Sequence, residues 1–319
     1  QIHLMNPGSF HNVNFIGTDQ GLDYFTTNDQ ASRGRIIACP TGQDFRKANE
    51  VVPQQDRILQ NACLVQGQLV CFYLNDGVCE LCLIDPRHSR SCSIPLPDPC
   101  GTITLLSEIP LNIRSGSPFL FFQFQSFQFP PCILRLSVAA RKVEPLQKIA
   151  SHTSFCVEKV AIAARDTTRL LAFLAYDPQQ GPVESMPAIM YGYGGFAVCN
   201  TPIATNPVLH MDVAEWVRRG GLYIQCIVRG GGEFGEQWHQ QGIGENKIHA
   251  VHDFIDIAQE LIRRRLCHPD RLAAVGGSCG GTLVLSAAML RPDLLRAVIS
   301  VAGLTDMIRY RNDARGAMY

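Results

Sequence analysis

Residues 276–281 read Gly276-Gly277-Ser278-Cys279-Gly280-Gly281, a Gly-x-Ser-x-Gly pattern with doubled glycines on both sides. An apolar run at 272–275 leads in, and a helix-forming stretch at 282–290 follows. A strand that turns directly into a helix around a serine is a nucleophile elbow. The turn is so tight that side chains two residues before and after the serine would collide, so both places want glycine. Ser278 is therefore the candidate nucleophile for attack on an acyl carbon. The following helix aims backbone N–H groups at the site, and the Cys279 N–H is the natural first donor to an oxyanion.

A second run, Tyr191-Gly192-Tyr193-Gly194-Gly195-Phe196, follows another apolar strand. At this place an α/β-hydrolase builds the other half of its oxyanion hole. The Tyr193 hydroxyl is a candidate side-chain donor. An aromatic–glycine turn that only packs fits the spacing equally well. A third run, Arg229-Gly230-Gly231-Gly232-Glu233-Phe234-Gly235, satisfies Gly-x-Gly-x-x-Gly after a strand. A dinucleotide fingerprint needs a helix that begins inside the glycines and holds pyrophosphate on its N-terminus. Residues 236–244 carry no apolar stripe and two further glycines, so a long loop is expected and the dinucleotide reading is set aside.

Other polar clusters carry less chemistry. His249, His252 and Asp253 share a predicted helix, but no third ligand lies in the segment and a solvated helix face is expected. Cys79 and Cys82 form a lone C-x-x-C inside an alternating strand pattern, without a second pair at zinc spacing. No metal or organic cofactor is implied. A serine without a positioned base is a poor nucleophile. Hydrolases of this type take the acid and the histidine from segments after the serine, whereas the last histidine here is His268. Asp293, Asp306 and Asp313 follow Ser278; Asp306, just past the strand at 297–301, stands where some hydrolases keep the triad acid.

The elements that must position these residues fall into two textures. Up to about residue 150, short apolar runs at 13–17, 22–27, 35–39, around 62–63, 69–74, 78–84, 102–106, 119–125, 133–137 and 143–146 alternate with Gly, Pro, Asn and Asp. Regular short strands with turn signals imply a sandwich, barrel or propeller, and a rhythm of about four strands per 40–50 residues suits propeller blades. Beyond 150, two strands at 155–162 and 170–176 give way to alternation: strand 187–191, helix 211–219, strand 222–228, amphipathic helix 248–265, strand 272–275, helix 282–290 and strand 297–301. Strands alternating with helices imply a mostly parallel, doubly wound sheet covered on both faces. The expected domains are residues 1–150 and 151–319, joined by 147–153.

Composition narrows the field. The 319 residues suffice for two domains. A net charge of zero, with 46% hydrophobic and 18% charged residues, leaves no basic footprint for nucleic acid or an anionic membrane. No apolar run approaches the roughly 18 residues of a membrane span. Thirteen irregularly spaced cysteines, most within apolar runs, read as small buried hydrophobes in a reducing, cytosolic compartment rather than as a disulfide scaffold. The chain starts at Gln1 without a signal-peptide pattern, and its start and end both suggest a piece of a longer chain.

Taken together, residues 191–196 and 229–235, the pairs Trp238-His239 and Asn246-Lys247, residues 276–281, and Arg291-Pro292-Asp293-Leu294 resemble the prolyl oligopeptidase family of serine peptidases. The Gly-Tyr-Gly-Gly-Phe form is closer to that branch than to oligopeptidase B. The resemblance implies a seven-bladed β-propeller over an α/β-hydrolase domain. Residues 1–150 then resemble the later blades, a partial propeller, and 151–319 the first half of an incomplete hydrolase domain. It also implies Ser278 as nucleophile, Tyr193 as oxyanion hydroxyl, the Cys279 N–H as oxyanion donor and Phe196 as part of the substrate pocket. The implied reaction is cleavage of short peptides after proline through an acyl-enzyme. Two departures stand out: Cys279 replaces the family's usual asparagine, and Val251-His252-Asp253-Phe254 replaces Phe-Asp-Asp-Phe.

Two other readings stay open: an esterase-type α/β-hydrolase, against which the long β region argues, and a non-catalytic interaction or regulatory module, favoured by the absence of a later histidine. The resemblance implies that the whole protein acts as a monomer. A partial propeller and half a sheet would leave strand edges and apolar surface bare, so this chain is expected to be poorly soluble or to self-associate.

Overall fold

A computed structural model describes residues 13–88, 90–105, 117–147 and 155–312. Residues 148–153 of the expected connector, Leu106 and Asp313 lie outside the described residues. The chain divides into two compact units, Gln1–Ala150 with Phe234–Glu236, and Ser151–Glu233 with Gln237–Tyr319. Sequence alone places Phe234–Glu236 in the second domain; in the structure they group with the first unit.

The first unit holds three four-stranded antiparallel sheets, each a propeller blade in form. The first comprises β1 (Val13–Asp19), β2 (Leu22–Thr27), β3 (Arg35–Pro40) and β4 (Asn49–Val52). The second comprises β5 (Ile58–Val65), β6 (Gln68–Asn75), β7 (Val78–Asp85) and β8 (Arg90–Ile94). The third comprises β9 (Gly101–Leu105), β10 (Phe119–Ser126), β11 (Cys132–Ser137) and β12 (Lys142–Pro145). In β10 burial alternates strictly, with Leu120, Phe122, Phe124 and Ser126 inside. That two-residue period lets one face of the blade pack on the next. Phe72, Leu81 and Leu83 meet Phe122, Phe124 and Leu134 in one shared core, where the Phe72 and Phe122 rings lie edge to face, 6.0 Å apart. Ile16, Tyr24 and Ile36 meet Leu69, Cys71 and Tyr73 in another.

Local chemistry closes the hairpins. Between β6 and β7, Asp76 and Gly77 both have positive φ (49° and 78°), as a two-residue type I′ turn requires. The sequence reading misses β4 and β8. Both are outermost strands and largely solvated, so they lack the apolar alternation that signals a strand. Cys79 and Cys82 lie three residues apart on β7, hence on opposite faces of the blade. All thirteen cysteines are free thiols.

The second unit is built on a six-stranded sheet. Its elements are β13 (Cys156–Ala163), β14 (Arg169–Tyr176), β15 (Ala188–Tyr191), α1 (Val213–Arg218), β16 (Leu222–Ile227), α2 (Glu236–Gln240, all but its first residue), α3 (Lys247–Arg263), β17 (Leu272–Gly277), α4 (Cys279–Leu290), β18 (Ala297–Val301) and α5 (Met307–Arg311). Strand order is β13-β14-β16-β15-β17-β18. The last four are mutually parallel, and β13 and β14 form an antiparallel edge. This is the α/β-hydrolase arrangement.

The apolar side of α3, with Val251, Phe254, Ala258 and Leu261, is buried, and α3 packs on α4. Helix α4 starts at Cys279, three residues before the stretch that propensity marks as helical. Gly280 and Gly281 disfavour helix intrinsically by about 1 kcal/mol each. Here their missing side chains admit neighbouring backbone, and that packing decides the helix start.

Candidate active site

Strands β15 and β17 are parallel neighbours, with Tyr191 level with Val275. Their C-terminal ends therefore release the 192–196 loop and the Ser278 turn side by side. From β15 the chain steps to β16 on one side, then crosses to β17 on the other. Such a reversal opens a crevice at the carboxyl ends of the strands, the usual ligand position in this type of sheet.

Ser278 sits alone between β17 and α4 with φ 51° and ψ −120°. A non-glycine residue held there is strained by about 1–3 kcal/mol, and the surroundings must over-determine it. They do: the Ser278 N–H donates to the Val301 carbonyl at 2.8 Å, and the Ser278 carbonyl accepts from the Gly281 N–H at 2.9 Å. A Cβ at Gly276 would fall on the Gly280 carbonyl, and one at Gly280 on the Gly192 carbonyl. One at Gly281 would lie 2.7 Å from Ser300 Oγ. Ser278 itself is exposed.

The glycine-rich loop is laid directly on this turn. The Gly192 N–H donates to the Val275 carbonyl at 3.4 Å, and Tyr193 Cα would lie 3.2 Å from a Cβ at Gly280. Tyr193 is half-buried beside the start of α4. Its neighbour Tyr191 is buried, and burial first, then Tyr193, pushes the Tyr191 hydroxyl up to about 12. Phe196 and Ala197 both adopt left-handed backbone (φ 55° and 52°), which turns the 44% exposed Phe196 ring outward. Lys247, at the start of α3, donates from Nζ to the Gly194 carbonyl and to Cys279 Sγ, the latter at 3.0 Å. Ser278, Cys279, Tyr193 and Phe196 thus belong to two abutting loops. The arrangement offers an exposed hydroxyl, a helix N-terminus and a phenol at one edge of the sheet.

The third glycine run abuts the second. A Cβ at Gly230 would lie 2.5 Å from the Gly194 carbonyl and 2.9 Å from the Gly242 carbonyl, and one at Gly232 would fall on the Ala197 carbonyl. These glycines serve backbone-to-backbone approach inside the protein. The helix that follows, α2, is a correction to the expected long loop, but it begins only after Gly235 and spans five residues. It forms because Trp238 is buried.

Asp253 is a second correction. It is fully buried rather than on a solvated helix face. Arg229 Nη2 meets Asp253 Oδ1 at 2.5 Å, Arg229 Nε meets Asp253 Oδ2 at 2.9 Å, and Arg229 Nη1 meets Asp166 Oδ2 at 2.6 Å. Burial works to raise the Asp166 carboxyl, yet hydrogen bonds from Arg229 and Thr168 outweigh it and bring it to about 2. The pair fastens the end of β16 to α3, and an apolar-stripe reading passes over it because both partners are charged. Glu233 is buried too: Oε1 accepts from the Asn200 N–H at 2.6 Å, and burial raises its carboxyl to about 7.

The remaining candidates are engaged elsewhere. Asp306 caps α5, accepting from the Arg309 N–H at 2.9 Å. Asp293 pairs with Arg291. His239 Nδ1 lies 2.7 Å from the Gly230 carbonyl, His249 Nδ1 3.0 Å from the Gln241 carbonyl, and His268 Nδ1 accepts from the Asp270 N–H. Among the described residues no group of three or more His, Cys, Asp or Glu is placed to hold a metal, and no helix is long and apolar enough to cross a membrane.

Two family models match. One, described as the prolyl oligopeptidase family, covers residues 209–317; the other, the prolyl oligopeptidase N-terminal beta-propeller domain, covers residues 4–149. A prolyl endopeptidase of Elizabethkingia meningoseptica is 30% identical over 313 residues, which is 96% of this chain and 42% of that protein. A prolyl endopeptidase of Dictyostelium discoideum is 24% identical over 314 residues, 92% of this chain and 39% of that one. A solved structure from a study of two prolyl endopeptidases superposes with a TM-score of 0.84 at 28% identity, covering 97% of this chain and 45% of that chain. Prolyl oligopeptidase B from Galerina marginata shares the fold at 23% identity, with a TM-score of 0.83 over 96% of this chain and 42% of that one. This chain therefore spans less than half the length of these relatives.

Proposed function

This chain belongs to the prolyl oligopeptidase family, and on that premise we propose that it carries a serine-peptidase site centred on Ser278. The observation that carries the reading is the left-handed backbone of Ser278 between β17 and α4, which lifts its hydroxyl clear of the sheet edge. In the proposed reaction Ser278 Oγ attacks a peptide carbonyl carbon. The carbonyl oxygen becomes an oxyanion that accepts hydrogen bonds from the Cys279 N–H and the Tyr193 hydroxyl. Phe196, exposed at the end of the same loop as Tyr193, contributes to the substrate pocket. The amine leaves, and water releases the acyl group from Ser278. Specificity for proline is proposed from the names of the relatives, and for short peptides from the family's description as oligopeptidases. A reducing, cytosolic setting is proposed from the thirteen free cysteines.

Ser278 needs a base to take its proton. Among the described residues Ser278 Oγ makes no hydrogen bond to a histidine; the Nδ1 atoms of His239, His249 and His268 bond to main chain, and Asp306 caps α5. That observation favours a second reading, in which this polypeptide by itself is a non-catalytic interaction or regulatory module. A fluorophosphonate probe separates the two. Labelling of the purified chain that disappears in Ser278→Ala establishes a nucleophile with a working base. No labelling of a sample shown to be folded establishes the non-catalytic reading for this polypeptide.

A further inference from the structure

The Cys279 thiol and the Lys247 amine form a pair that the proposed reaction does not use. Cys279 is nine-tenths buried. Its Sγ lies 3.0 Å from Lys247 Nζ, and that nitrogen also donates to the Gly194 carbonyl. A Cβ at Gly195 would lie 2.5 Å from Cys279 Sγ and 3.6 Å from Lys247 Nζ, so the glycine loop covers both groups. The thiol, buried, and the amine, half-buried, are thus in contact at the residue that follows Ser278.

We propose that Cys279 and Lys247 are an oxidation site, at which a peroxide joins Sγ to Nζ as a reversible sulfenamide. Cys279 Sγ attacks one peroxide oxygen; the S–O bond forms, the O–O bond breaks, and the departing hydroxide leaves as water with the thiol proton. The product is a sulfenic acid, which condenses with a nearby nitrogen when one is within reach. Here the lone pair of the Lys247 amine attacks Sγ; the S–N bond forms, the S–O bond breaks, and the hydroxyl leaves as water with an amine proton. In sum, thiol, amine and hydrogen peroxide give sulfenamide and two waters. Sulfur is oxidised by two electrons and the peroxide is reduced. The link fastens the start of α3 to the start of α4 beneath the Gly194–Gly195 backbone. Its consequence for catalysis rests on the reading of Ser278 as nucleophile, whereas the cross-link itself does not.

The test treats the folded chain with hydrogen peroxide and reads peptides by mass spectrometry, without any activity measurement. The expected result is one cross-linked peptide pair joining Lys247 to Cys279, lighter by two hydrogens and separated again by a thiol reductant. In Lys247→Arg, whose guanidinium keeps the charge but not the reactive amine, the link is lost and a cyclic diketone traps the sulfenic acid instead. Oxidation of Cys279 without the link in the unmodified chain overturns the proposal, as does a Cys279 that stays reduced while other cysteines oxidise.

Discussion

Gly276 and Gly280 face each other across the Ser278 turn so closely that a Cβ on the first would occupy the carbonyl oxygen of the second. The obstacle is backbone, which cannot swing aside as a side chain can. Gly276→Ala should therefore open the turn, at about 1–3 kcal/mol of stability for the overpacking. The expected outcome is a lowered urea midpoint and, where the unmodified chain reacts with a fluorophosphonate, loss of that reaction. An unchanged midpoint would mean that the turn is looser than described.

Glu233 supplies a pH dependence. Its carboxyl, ordinarily near 4.5, is raised to about 7 by burial. The folded state therefore holds the proton when the unfolded state has already released it. Glu233 thus favours folding fully below about pH 4.5, and the contribution declines as pH rises and is gone above about 7. The difference corresponds to roughly 3 kcal/mol. Melting temperature should fall between about pH 5 and about pH 8, and Glu233→Gln should flatten that slope. A slope identical in the variant would remove Glu233 as its source.

Arg229 and Asp253 are buried together at 3% and 0% exposure. Removing Asp253 leaves the buried Arg229 guanidinium with only the more exposed Asp166 as a carboxylate partner, so Asp253→Ala should cost about 3–5 kcal/mol. Replacing both, Arg229→Met with Asp253→Leu, should recover much of that loss, since a buried ion pair and an apolar pair of similar volume are often nearly equivalent. Urea unfolding of the two variants distinguishes this from a general intolerance of change at α3, which would leave the double variant no better than the single.

Strand β18 is the last strand of the six-stranded sheet, and among the described residues its outer edge pairs with no other strand. Around it Met289, Leu290, Ile299, Val301, Met307 and Ile308 are exposed. Open edges with apolar flanks and no charge template association. Two copies of this chain are expected to associate through β18, and Ile299→Lys should shift the population toward monomer in sedimentation velocity. A monodisperse, unmodified monomer at high concentration would contradict this.

Much of this molecule was legible in the sequence because the signals are local. The glycines around Ser278 are required by a clash within five residues, so the elbow can be read from the chain itself. The alternation of β10 and the apolar side of α3 report which face is buried, because periodicities of 2 and 3.6 follow from backbone geometry. Strands β4 and β8 were not legible, because an edge strand is held by its neighbour's hydrogen bonds rather than by burial.

What only the tertiary structure decided depends on groups far apart in sequence. That Gly230 and Gly232 pack on Gly194 and Ala197, rather than cradle a phosphate, follows from the adjacency of β15 and β16. That Asp253 is inside follows from Arg229, twenty-four residues away, which neutralises it. That Asp306 is a helix cap follows from the direction in which α5 leaves β18. The contact of Lys247 with Cys279, thirty-two residues apart, arises because α3 and α4 start under the same loop. A short motif determines its own turn, because its clashes are its own. A charge's role is set by whatever partner the folded chain brings to it.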